Sequence, residues 1–70
     1  MNKTQEWLEQ WMNNITFISQ DDLTKLVFKD ILTKFQKAEV FYGPDADRKK
    51  FNITINNSDG VSQITIPLSE

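Results

Sequence analysis

The chain has 70 residues, 10 of them acidic and 8 basic, a formal net charge of −2, and neither Cys nor His. That length allows one small domain over 1–70, with a stability margin of about a few kcal/mol. The missing residue types exclude a disulfide, a thiolate metal site and imidazole acid–base chemistry, and the mixed charge advertises neither a DNA mimic nor a strongly basic nucleic-acid binder.

The N-terminal stretch lacks the basic and apolar parts of a signal peptide. No apolar run approaches the roughly 20 residues of a membrane span, so the expected location is intracellular, in the cytoplasm. Lys greatly outnumbers Arg, and Ile and Asn are common, which is the composition of an AT-rich bacterial or phage genome.

A first helix is expected from Thr4 to about Asn14. Trp7, Leu8, Trp11, Met12 and Ile15 share one arc of about 140° at helical spacing. Glu6, Glu9, Gln10 and Asn13 fill the opposite side. Thr4 or Asn2 serves as cap, and Glu6 suits the positive end of the helix dipole. The Trp7/Trp11 pair reads as core packing, with a partner surface as the sharper option.

A second helix is expected from Asp21 to about Lys37. Ser19 and Asp22 form a capping box, and Phe17 and Ile18 are placed to staple the entry. Leu23, Val27, Phe28, Ile31, Leu32 and Phe35 spread over half the circumference as a wide buried face. Leu26 falls on the polar side, either as a lone apolar residue, as a contact to the first helix, or as an anchor for a second chain.

After Ala38 the hydrophobic period changes from helical to alternating. Ala38 to Tyr42 is the first strand, closed by Gly43-Pro44. Phe51, Ile53 and Ile55 alternate with polar residues, as do Ile64, Ile66 and Leu68, the pattern of an antiparallel sheet with one wet face. Asp59-Gly60 reads as a type I′ turn, which pairs Ile55 with Ile64, Ile53 with Ile66 and Phe51 with Leu68. A four-residue loop instead shifts the pairing by two and keeps the faces matched, whereas a shift of one mixes them. Pro67 makes the third strand an edge or ends it. With Val40 and Tyr42 inward, Phe41 stands on the open face beside Thr54 and Thr65.

The expected fold class is α+β, in the order ααβββ: two N-terminal helices packed on one face of a three-stranded antiparallel meander. No nucleophile–base pair and no phosphate-cradling glycine loop is visible, so neither an enzyme nor a cofactor is expected. Asp45 and Asp47 lack the later ligands of a calcium loop. The favoured function is a small non-enzymatic protein-binding module, with a protein partner or a second copy of the chain contacting Phe41, Thr54, Thr65 and Leu26. The alternative is a nucleic-acid-binding regulator using Lys25, Lys29, Arg48, Lys49 and Lys50. A basic hairpin tip beside a lysine-bearing helix resembles the wing and helix of winged-helix DNA binders, without their third helix.

Overall fold

The computed structural model describes residues 2–15 and 19–68, so Phe17 and Ile18, the expected staple, lie outside the described residues. Helix α1 spans Lys3–Asn13. Its cap is Asn2, whose side chain accepts from the Gln5 N–H at 3.1 Å. Helix α2 spans Gln20–Leu26, with the Ser19 hydroxyl accepting from the Asp22 N–H at 3.2 Å, which is one half of the expected capping box.

The second helix does not run on as a plain α-helix. Val27–Leu32 winds as a π-helix. The Phe35 N–H then bonds the Ile31 carbonyl at 2.8 Å, and the chain turns at 35–37. The apolar spacing supplies the reason. Leu23, Val27 and Ile31 recur every four residues and are all fully buried, and Phe35 continues the series half-buried. In an α-helix a step of four advances about 40° round the axis, so this line would drift about 120° off the core by Phe35. The wider π turn keeps the line facing the sheet. The Thr33 hydroxyl follows the same wide register, donating to the Phe28 carbonyl at 3.2 Å.

This winding overturns one expectation. Phe28 is not a core residue but 52 % exposed. Leu32 and Phe35 are half-buried against the core.

Strands β1 (Glu39–Pro44), β2 (Lys50–Asn57) and β3 (Gly60–Pro67) form an antiparallel meander in the order β1-β2-β3. Both helices lie on one face, giving the expected ααβββ arrangement. Leu8 of α1, the Leu23–Val27–Ile31 line, Phe51, Ile53 and Ile55 of β2, and Ile64 and Ile66 of β3 make the core. Strand β1 contributes no fully buried side chain. Among the described residues no helix is long and apolar enough to cross a membrane.

The β2–β3 register is the one shifted by two. Ile53 opposes Ile64, Phe51 opposes Ile66, and Ile55 opposes Ser62 rather than Ile64. Ser58 and Asp59 sit at the tip between paired Asn57 and Gly60. A type I′ turn needs positive φ at both central residues. Here the only positive φ in the turn belongs to Gly60, at 107°. Polar contacts account for the choice. The Asp59 N–H donates to Asn57 Oδ1 at 3.0 Å, the Asn57 amide donates to Thr4 Oγ1 at 2.9 Å, and Thr4 Oγ1 donates to Asp59 Oδ2 at 3.0 Å. Thr4 is therefore not the cap of α1 but the buried pin that holds its first turn to the hairpin tip. Leu68 follows the end of β3 and donates its N–H to the Lys49 carbonyl at 2.8 Å.

The shift leaves Ser62 fully buried, with a hydroxyl that finds no hydrogen-bond partner among the described residues. An unpaired buried hydroxyl costs about 1–3 kcal/mol. Ser62→Ala is expected to raise stability by about 1 kcal/mol, an increase of roughly 4–8 °C in Tm for a domain this size. A thermal melt showing a lower midpoint would mean that the hydroxyl is bonded in solution.

Candidate protein-binding edge

The Asp45 N–H bonds the Lys50 carbonyl at 2.9 Å. Hydrogen-bonded pairs alternate along an antiparallel ladder. With the β1–β2 register this turns the peptide groups of Glu39, Phe41 and Gly43 toward β2, and those of Val40 and Tyr42 outward. The Leu68–Lys49 bond settles β3 in the same way, leaving Val61, Gln63 and Thr65 turned outward.

The two edges are treated differently. On β3 the side-chain amide of Gln5 acts as a surrogate strand. Gln5 Nε2 donates to the Gln63 carbonyl at 3.0 Å, and the Gln63 N–H donates to Gln5 Oε1 at 2.8 Å. Helix α1 thereby covers the middle of that edge. On β1, among the described residues, no hydrogen bond reaches the outward groups of Val40 or Tyr42.

The exposed aromatics collect at the uncovered edge. Phe41 is 60 % exposed on the open face, opposite Thr54. Tyr42 points to the helical side as expected, yet remains 38 % exposed because β1 is the outermost strand. Phe28 meets Tyr42 edge-on at 5.8 Å, and Tyr42 stacks on Phe51 at 6.3 Å. Exposed aromatic surface therefore flanks β1 on both sides. A shallow groove of about 270 Å³ runs beside it, lined by Phe41, Tyr42, Gly43, Pro44, Asn52 and Thr54.

Of the residues singled out from the sequence, Phe41, Thr54 and Thr65 share the open face. Thr65 stands farther across it, bonded to Asn52 Oδ1 at 2.9 Å and one strand removed from Phe41. Leu26 does not join them. It is half-buried on α2 and outside the core cluster. Phe28 and Tyr42 were missed as surface residues. The available signal was the four-residue spacing of Leu23, Val27, Ile31 and Phe35, which excludes Phe28 from the inward line.

The basic residues singled out from the sequence are spread over three elements and a connection. Lys25 lies on α2 and Lys29 in the π segment, whereas Arg48, Lys49 and Lys50 belong to the β1–β2 connection and the start of β2. That connection is organised by Asp45, whose Oδ1 accepts from the N–H groups of Lys49 (3.1 Å) and Lys50 (3.4 Å). Arg48 takes φ 58°, the strained left-handed position of this tight loop.

The tryptophans clamp the two helices together. Trp7 and Trp11 stack at 6.2 Å, Phe35 meets Trp7 edge-on at 5.3 Å, and Trp11 Nε1 donates to Asp30 Oδ2 at 2.9 Å. Lys34 Nζ sits 5.4 Å from the Trp7 ring centre. Comparison with protein-family models, curated proteins and solved structures finds no match. The functional reading therefore rests on the chain's own chemistry.

Proposed function

We propose that this chain is a small non-enzymatic protein-binding module, an adaptor, regulator or inhibitor of bacterial or phage origin, acting in the cytoplasm through the β1 edge and the adjoining open face. The supporting observation is the gathering of Phe28, Phe41 and Tyr42 around one strand whose outward peptide groups receive no hydrogen bond among the described residues. Taking about 200 Å² for a whole aromatic side chain, their exposed parts come to roughly 300 Å². These rings give β1 an exposed apolar flank on each face, together about the size of the patches that soluble domains often use for contacts. Outward N–H and C=O groups beside them offer a partner main-chain hydrogen bonds as well as apolar area.

Immobilised wild-type chain is expected to retain a protein, its own free copy included, from lysate of the source cells. Phe41→Lys and Phe28→Lys should each cut that retention at least tenfold, on the order of a hot-spot loss. Circular dichroism should show both variants folded. Retention of nothing, or equal retention by all three proteins, would remove the reading.

A further inference from the structure

We infer that the occupant of the β1 edge is β1 of a second copy of this chain, paired antiparallel about a two-fold axis at Phe41. The inference rests on the protein-binding reading above and names its partner.

Among the described residues no hydrogen bond reaches the outward peptide groups of β1. Val40 and Tyr42 present their N–H and C=O groups outward and are placed symmetrically about Phe41. Antiparallel pairing centred on Phe41 sets Val40 against the second copy's Tyr42, and Tyr42 against its Val40. Each pair exchanges two hydrogen bonds, so every outward group of the two residues is satisfied. Neighbouring registers of correct parity do worse. A centre at Tyr42 brings Val40 against Pro44, which has no N–H to give. A centre at Val40 sets Tyr42 against Ala38, outside the strand, and Glu39 against Phe41.

The side chains agree with the same register. Phe41 faces its own symmetry mate on the open side as a non-hydrogen-bonded pair, where Cα atoms stand about 4.5 Å apart and side chains touch best. Glu39 meets Gly43, so like charges do not oppose each other. On the helical side Tyr42 meets Val40, with Phe28 beside it. The product is one continuous six-stranded sheet with the helices of both copies on the same side.

The area sets the strength. Roughly 300 Å² of aromatic surface per copy, with the strand backbone, falls below a standard interface of about 1,600 Å² in total. The pairing is therefore a reversible dimer with a dissociation constant on the order of 10–100 μM rather than an obligate one.

The 70-residue chain contains no cysteine, which makes a clean test available. A Phe41→Cys chain places two thiols at disulfide-compatible separation across the axis. It should cross-link to a dimer under mild oxidation, while Val61→Cys, exposed on the opposite edge, should remain monomeric. Sedimentation equilibrium of the wild type should show a concentration-dependent monomer–dimer exchange, and Phe41→Lys should weaken it at least about tenfold. A wild type that stays monomeric to about 200 μM overturns the second-copy inference. If that monomer still captures a different protein through Phe41, the binding reading survives alone; if it captures none, both fall. Cross-linking through Val61→Cys instead, or a dimer indifferent to Phe41→Lys, also overturns the inference by moving the contact elsewhere.

Discussion

Phe51→Ala is expected to leave the chain unfolded at 25 °C. Phe51 is the largest fully buried side chain among the described residues, 1 % exposed, at the start of β2 beside the β1–β2 connection. It supports Tyr42 from below and pairs with Ile66 across the ladder. Truncating a buried Phe costs about 3–5 kcal/mol, from lost transfer energy and from the cavity left behind. A 70-residue domain without a disulfide holds about that much in reserve, so the deficit consumes the margin. Far-ultraviolet circular dichroism should show loss of both helix and sheet signal. A folded variant with a urea midpoint close to wild type would mean that the core closes over the gap more readily than its packing implies.

Leu8→Ala is expected to release α1 from the sheet, at a cost of about 2–5 kcal/mol. Leu8 is the only fully buried apolar side chain that α1 supplies, and an eleven-residue helix has little stability on its own. The tryptophans report the event directly, because both are on α1. Their emission should shift to the red at urea concentrations where wild type is still native. The released helix also withdraws Gln5 from β3, so the variant should become prone to sheet-to-sheet association. Unchanged emission together with unchanged stability would show that Thr4 and the Trp7–Phe35 contact suffice to dock the helix.

Much of the layering is legible in the residues themselves. Alternation from Phe51 to Ile55 and from Ile64 to Ile66 names the inward face without ambiguity, because a one-residue slip would expose every isoleucine. Ser19 announces the second helix start, and Asn2 and Thr4 bracket the first, through side-chain chemistry that is local in sequence. Register is another matter. Two pairings that differ by two residues present the same apolar faces, and the choice falls to Thr4, some fifty residues away, through its bonds to Asn57 and Asp59. The π segment is equally hidden from a helical wheel, which assumes a constant turn. The four-residue spacing shows its cause only once the sheet that Leu23, Val27 and Ile31 must all face is known.

The candidate edge follows the same logic. Strand parity required that either Phe41 or Tyr42 stand on the open face, and it is the stacking of Tyr42 on Phe51 that assigns that place to Phe41. That Tyr42 remains half in water, and that Phe28 leans on it, depends on β1 being outermost and on the helix winding wide at that level. A side-chain amide that occupies a backbone position, as Gln5 does on Gln63, leaves no periodic trace in a sequence.

That amide has a further consequence for how far assembly can proceed. A three-stranded sheet with two receptive borders would polymerise, each added copy offering a fresh template to the next. In the proposed pair the other border is used up by symmetry, and the glutamine on Gln63 is what would stop growth at two molecules. On that proposal a single hydrogen-bonding side chain would separate a finite assembly from an endless filament.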